Sequence, residues 1–385
     1  MITPVHALEA LRAQPCGERA LAALAGRDDA WLVGGVVRDA LLGRAVRGWD
    51  VDIVVEGDPE PVARALGRVV EAHDRFGTFA VVAEDECRYD VVRARRESYA
   101  HPGALPAVEP STLDDDLARR DFTINALALS AEGRLRAVPG AEDDLAARRL
   151  RVLHPASFRD DPTRLWRLVR YAVRLGFTPE PETDRLAVEA VAAGALQTVS
   201  GDRLGAELRL ALREPRPLSA LHAAQNLGLV AGLRLDPRLV SDALALLPPG
   251  EGEPELLILG ALIDDPGWGA ELGFTAAERH VLERCARAAP LQPGRPSSVA
   301  ARLRGEPVEA VAVAGARGDA ATARRWLADW RHVALQIDGR DLLAAGVPQG
   351  PEIGRRLAAL LARRLDGELP ADRDAQLRAA VEDAA

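Results

Sequence analysis

Read for its apolar spacing, the chain changes character near residue 150. Before that point short apolar runs alternate with polar positions or turn residues, the pattern of strands. Strands are predicted at Ala30–Val33, Val51–Glu56, Thr78–Ala83 and Arg88–Val92, with helices at Pro61–Ala72 and Asp121–Ala128. A helix one to two turns long is expected after Gly34 and Gly35. The segment Tyr99–Thr112, holding Pro102, Gly103, Pro106 and Pro110, reads as a loop.

From Leu150 onward the period is that of helices. Asp161–Leu175 is predicted as a helix with Pro162 in its first turn and Gly176 as its stop. Further helices are expected over Pro181–Ala192, Ser200–Leu212 and Pro217–Gly228. Proline- and glycine-rich breaks at Leu247–Glu253 and Leu291–Ser298 suggest boundaries. The expectation is an α+β protein: a small, mixed, mostly antiparallel sheet with helices, then an all-α region. The divisions are 1–150, 151–215, 216–295 and 296–385. No internal repeat is evident.

Composition narrows the class. A chain of 385 residues exceeds one ordinary core. Lysine is absent, so all 49 basic residues are arginine, and the formal net charge is −9. That charge excludes a surface coated for nucleic acid but not a local basic groove. Arginine clusters fall in the first half: Arg88, Arg93, Arg95 and Arg96; Arg119 and Arg120; Arg148, Arg149 and Arg151; and five between Arg159 and Arg174. Cys16, Cys87 and Cys285 are distant and odd in number, so neither a zinc site nor a disulfide framework is expected. No apolar run reaches membrane-spanning length and no signal-peptide pattern is present. The cytoplasm is therefore the expected location.

Three segments carry chemistry. In the first, Gly34 and Gly35 let backbone N–H groups approach a phosphate, and Asp50-Val51-Asp52 follows on a strand. Alternation puts Asp50 and Asp52 on one face and Val51, Ile53 and Val55 on the other, toward a core. Adjacent carboxylates repel, and a divalent cation with phosphate oxygens resolves the conflict. In the second, Arg119-Arg120-Asp121-Phe122-Thr123-Ile124-Asn125, Asp121 is placed to cap a helix. The preceding arginines gain nothing from that helix's dipole, which points to an anion. Asn125 faces either a ribose or the core. In the third, Asp160 and Asp161 precede a stripe of Arg164, Arg167, Arg170 and Arg174. An Asp161–Arg164 pair at helical spacing offers a donor fork beside acceptors, suited to a nucleobase edge. Each feature alone has a bland reading as a turn, a cap or a solvated face. Their order is what points to nucleotide chemistry. No Ser-His-Asp set is evident, and His73-Asp74 stands alone.

With these segments in view the chain resembles the class II tRNA nucleotidyltransferases, the family of CCA-adding enzymes and bacterial poly(A) polymerases. Gly34–Asp39, Asp50 and Asp52, Asp90–Arg95, Arg119–Ala126, Asp160–Arg164 and Asp202–Leu208 resemble its successive motifs. Asp160 stands where the family has Glu. The resemblance runs from Trp31 to about Leu212 and is loose beyond. It implies two metal ions, Mg²⁺ or alternatively Mn²⁺, on Asp50 and Asp52. Asp90 is either a third acid beside them or a structural strand residue. Gly34, Gly35, Arg38, Arg120 and Asn125 would meet the phosphates or ribose, and Asp161, Arg164, Arg167 and Arg170 the base and triphosphate.

The implied reaction is attack of an RNA 3′-hydroxyl on the α-phosphate of CTP or ATP, adding CCA, CC or A to tRNA. The segment from Arg95-Arg96-Glu97-Ser98-Tyr99 to Pro106 resembles that of A-adding and related split-activity members. A poly(A) polymerase, or a non-catalytic RNA-binding relative, remains the alternative. Asp338–Leu342 and Gly350–Gly354 either hold a tRNA elbow or punctuate packing helices.

Overall fold

The computed structural model describes residues 2–44, 50–73, 77–265, 267 and 271–382; the side chains of Asp50 and His73 lie outside the description. These residues form two compact units, 1–229 and 230–385.

The first unit opens with α1 (Pro4–Arg12) and α2 (Pro15–Leu24), then β1 (Ala30–Val33), α3 (Gly35–Leu41) and β2 (Asp50–Val55). Next come α4 (Glu60–Leu66), β3 (Arg68–His73), β4 (Thr78–Val82) and β5 (Arg88–Arg93). A β6 (Arg95–Ser98) and β7 (Ala107–Pro110) hairpin and α5 (Leu113–Ala118) lead to β8 (Leu127–Leu129) and β9 (Leu135–Ala137). The main sheet has the order β3-β4-β5-β2-β1-β8-β9. Among its described strands only β2 and β5 pair in parallel, because the α4–β3–β4 excursion returns the chain beside β2 in the same direction.

One face of this sheet is closed by α1 to α4. There Val51, Ile53 and Val55 are fully buried, as their alternation predicts, with Val91, Leu32 and Leu129. On the other face a smaller core of Trp31, Val33, Val54, Leu113 and Leu117 packs under α5. That cover stops short of a row running across four strands. In register, Glu71 lies opposite Ala80, Ala80 opposite Asp90, and Asp90 opposite Asp52. Same-register neighbours share a face, and all four line one cavity.

Helices complete the unit: α6 (Ala141–Ala146), α7 (Ser157–Asp160), α8 (Thr163–Leu175), α9 (Pro181–Ala192), α10 (Gly201–Leu212) and α11 (Pro217–Leu227). Gly176 ends α8 in the left-handed conformation, as expected for a C-terminal glycine. The second unit is helical from Pro237–Leu244 to Arg373–Glu382. Its helix Pro254–Leu262 is buried on all sides between Leu256 and Leu262, and a further cluster gathers Ile337, Leu342, Leu360 and Leu369. Asp338 caps Gly339–Ala344 and Pro351 opens Pro351–Leu365, so both glycine-rich tail segments begin helices. Among the described residues no helix is long and apolar enough to cross a membrane.

Four expectations are corrected. The helix predicted at Pro61–Ala72 ends at Leu66. Gly67 passes so close to β4 that a β-carbon there would lie 2.7 Å from the Val82 carbonyl oxygen, and the β-branched Val69 and Val70 continue as an edge strand. The helix predicted at Asp121–Ala128 is a 3-10 turn, Thr123–Asn125, followed by β8. Every residue from 121 to 130 is buried, and pairing with β1 overrides local propensity. The loop predicted at Tyr99–Thr112 contains β7, whose Pro110 sits at the strand end opposite Arg95.

The fourth correction is a disulfide, Cys16–Cys87, spanning 71 residues of sequence. The fold sets α2 beside the start of β5, where the Tyr89 hydroxyl donates to the Cys16 carbonyl oxygen at 3.0 Å. Sequence distance gave no hint of that proximity. Opening a loop of this length removes about 4 kcal/mol of unfolded-state constraint. Reduction is therefore expected to lower the first unit's Tm by on the order of 10 °C, read by thermal melts with and without a phosphine reductant. An unchanged Tm, with alkylation showing both thiols released, would refute it.

Candidate active site

The cavity lies wholly in the first unit and encloses about 860 Å³. Its floor is the sheet row of Asp52, Asp90, Ala80 and Glu71, with Gly34 and Gly35 at one end. Gly34 adopts φ 71°, ψ −129°, a conformation open to glycine, between β1 and α3. A β-carbon there would stand 2.8 Å from Arg120 Nη1 and 3.5 Å from Asp52 Oδ2. The tight turn thus brings a guanidinium and a carboxylate to the same backbone atom.

One wall comes from the β6–β7 hairpin and α5. Asp116, fully buried, accepts from Arg119 Nε at 2.9 Å and from Arg120 Nη2 at 3.0 Å. Glu97 accepts from Arg119 Nη1 at 2.7 Å and from Arg95 Nη2 at 3.1 Å. Burial, then the Glu97 charge, pushes the Tyr99 hydroxyl up to about 12, so it stays protonated. The Nε atoms of Arg95 and Arg120 are buried with no acceptor among the described residues. Buried donors are ordinarily satisfied, so two orphans beside a cavity mark a place for an anion.

The opposite wall is α8. Arg167 Nε donates to Asp121 Oδ2 at 2.7 Å, and Asp121 Oδ1 accepts from the Phe122 N–H and from Asn125 Nδ2. Asn125 Oδ1 in turn accepts from Arg38 Nη1 at 2.6 Å, while Arg38 grips Asp39 with two bonds. Asn125 therefore joins Arg38 to Asp121 through its side chain. Burial alone would raise the Asp121 carboxyl, but Arg167, Asn125 and the Phe122 N–H together hold it below the usual carboxylate range. Its folded pKa being depressed, Asp121 contributes stability above the unfolded pKa and loses it as pH falls through the folded value. Asp121→Asn is expected to flatten the rise of Tm with pH below about pH 5, as the unfolded carboxyl, at about 3.9, begins to take up its proton. An unaltered slope would count against this account.

The expected Asp161–Arg164 ion pair is present at i,i+3 spacing but loose, at 4.0 Å and without a hydrogen bond between the two. Asp161 ends α7, where its Oδ1 accepts from the Thr163 hydroxyl at 2.7 Å and from Arg203 Nη2 at 2.9 Å. Arg164 donates to Ser157 Oγ and to the Arg119 carbonyl oxygen. The arginine stripe is not a solvated face either. Arg164 and Arg170 are buried, and Arg170 lies outside the cavity lining, bonded to Glu207 and Glu214.

The structure thus gathers Gly34, Gly35, Arg38, Asp52, Asp90, Arg120, Asn125, Asp161, Arg164 and Arg167 around one cavity. Asp50 begins β2, its backbone opposite Arg88, and its side chain lies outside the described residues. The reading from sequence missed Asp116, Glu97, Tyr171 and Arg203. Asp116 had a signal, since Arg119 and Arg120 follow it at the i+3 and i+4 spacing of ion pairs.

The donor set suits a divalent cation. Asp52 and Asp90 stand in register on adjacent parallel strands, and Mg²⁺ takes one or two carboxylates together with phosphate oxygens. Among the described residues no cluster of three metal-ligating side chains occurs. Phosphate oxygens and water would complete such a shell.

An acid row on a small sheet, facing a cavity walled by arginines, defines a nucleotidyltransferase-type head. Residues 30–151 match the poly A polymerase head domain. The chain is 36% identical to an A-adding tRNA nucleotidyltransferase of Geobacter sulfurreducens over 91% of its own length and 44% of that protein. It is 34% identical to a CC-adding tRNA nucleotidyltransferase of Deinococcus radiodurans, over 92% of this chain and 94% of that one. The Thermotoga maritima CCA-adding enzyme complexed with tRNA superposes with a TM-score of 0.68 at 26% identity, covering 98% of both chains. A CCA-adding enzyme complexed with ATP gives 0.74 at 26% identity, covering 95% of this chain and 94% of that one. The chain belongs to the tRNA nucleotidyltransferase/poly(A) polymerase family, whose members generally use divalent metals.

Proposed function

We propose that this protein adds all or part of the CCA sequence to the 3′ end of tRNA, using CTP, ATP or both, in the cytoplasm. The observation that carries the reading is that the in-register pair Asp52 and Asp90 lines one cavity together with Arg95 and Arg120. Carboxylates and guanidinium groups side by side in one cavity suit a cation-bound triphosphate and the hydroxyl that attacks it.

In this reading the RNA 3′-oxygen forms a bond to the α-phosphorus. The bond from that phosphorus to the bridging oxygen breaks, and pyrophosphate leaves as the hydroxyl proton is lost. Asp50 and Asp52, with Asp90 beside them, would hold a pair of Mg²⁺ or Mn²⁺ ions, which when bound would supply Lewis-acid activation of the hydroxyl and charge stabilisation of the leaving group. Arg120 and Arg95 hold phosphate oxygens, with the backbone at Gly34 and Gly35 approaching them. Arg38 and Asn125 orient the ribose. Arg164, Arg167 and Asp161 meet the base, and Arg170 acts from behind the wall through Glu207. Residues 1–150 serve as head and 151–215 as neck. Residues 216–295 and 296–385, as body and tail, hold the acceptor and elbow of tRNA.

The test is incorporation of labelled CTP and ATP onto tRNA ending at the discriminator base, at the first C and at the second C. Addition at one or more of these ends is expected, and the pattern assigns CCA, CC or A addition. Unlimited AMP addition to any RNA end would replace this reading with poly(A) synthesis. No addition anywhere would defeat it.

A further inference from the structure

Tyr171 belongs to none of the acid or arginine sets above, yet three of the arginines converge on it. Its ring lines the cavity, with the guanidinium carbons of Arg38, Arg167 and Arg174 at 5.4, 5.5 and 5.9 Å from its centroid. Arg38 comes from α3 against the sheet, and the other two from α8. Phe122 meets the same ring edge-on at 5.9 Å.

The ring is not needed to neutralise these cations. Arg38 is paired with Asp39, Arg167 with Asp121, and Arg174 with Glu214. What the ring adds is orientation: a guanidinium against an aromatic face is confined in position and tilt. Arg167 is the most constrained. Its Nε is spent on Asp121, and one terminal nitrogen donates to the Tyr171 hydroxyl at 3.0 Å. Its Nη1 has no acceptor among the described residues, on a side chain that lines the cavity.

We infer that Tyr171 is a positioning residue for nucleotide selection: it fixes the plane of Arg167 so that Nη1 presents one donor to the base, and ties that donor to Arg38 at the ribose. The inference rests on the proposed nucleotidyl transfer and names a determinant of which nucleotide is chosen. An aromatic ring with one hydroxyl serves both demands, since the face holds the cations and the oxygen sets the rotation of Arg167.

The experiment compares wild type, Tyr171→Phe and Tyr171→Leu in steady-state incorporation of ATP and CTP, with direct nucleotide binding by calorimetry. Loss of the ring in Tyr171→Leu is expected to raise KM for the preferred nucleotide about tenfold, the size of losing desolvated cation–π contacts, with the larger share of the loss in KM rather than kcat. Discrimination between ATP and CTP should narrow by a similar factor. Tyr171→Phe keeps the ring and its packing, so it should recover most of the KM while retaining part of the lost discrimination. A Leu variant with wild-type KM and discrimination overturns the inference and leaves nucleotidyl transfer standing. The inference is equally overturned if both variants lose only kcat, to the same extent. A wild-type protein that binds and incorporates neither nucleotide defeats the functional reading, and this inference with it.

Discussion

Asp52→Ala is expected to abolish nucleotide transfer, by on the order of 10³-fold or more, while leaving tRNA binding intact. Asp52 faces the cavity from the β2 end of the row, in register with Asp90, and its Oδ2 lies near the Gly34 turn. Removing it deletes half of the described acid pair without touching the buried face of β2, where Val51, Ile53 and Val55 hold the strand in place. The fold should therefore survive. A single-turnover assay at saturating tRNA, paired with a gel-shift of the same variant, separates the two outcomes. Transfer within tenfold of wild type would remove Asp52 from the reaction. Loss of tRNA binding alongside loss of transfer would mean that the row serves the RNA rather than the chemistry.

Gly34→Ala should be nearly as damaging, although it removes no functional group. The position requires φ 71° with ψ −129°, which an L-residue reaches only at a strain of on the order of 1–3 kcal/mol. The added carbon would also lie 2.8 Å from Arg120 Nη1. Arg120 is anchored to the fully buried Asp116, so its displacement breaks a clamp that also holds Arg119. Misplacing a phosphate-holding group by a fraction of an ångström to an ångström costs about 10²-fold in rate. The measurement is kcat/KM beside a thermal melt. A fall of that size with Tm lowered by only a few degrees is the expected pattern. Wild-type activity would show that the turn tolerates a side chain and that Arg120 does not depend on it.

Much of this was legible in the residues because the informative signals were local. The alternation across Asp50–Val55, the glycine pair before α3, and the proline and glycine bracketing α8 each declare their conformation within a few positions. What escaped depended on contacts between segments far apart in sequence. The end of the predicted helix, Leu127 and Ala128, reads as helix until β1 is there to pair with it. Asp161 looks like a partner for Arg164 at helical spacing. The break at Pro162 and the approach of Arg203 from α10, 42 residues on, redirect it. Arg170 looked like a ligand group in a stripe and is instead consumed by Glu207 and Glu214. Tyr171 falls inside the predicted helix Asp161–Leu175 with no role assigned, because nothing in its own segment shows that Arg38 will reach it. Cys16 and Cys87 met for the same reason.

The central claim is that one cavity in the first unit positions a nucleoside triphosphate with its α-phosphate at the acid row. A crystal structure of the full chain with a non-hydrolysable ATP or CTP analogue and Mg²⁺ tests it most directly. Metal density is expected between Asp52, Asp90 and the phosphates, with the phosphate tail on Arg95 and Arg120 and the base against Arg164 and Arg167. A triphosphate bound elsewhere, or bound here with no cation at those carboxylates, would contradict it.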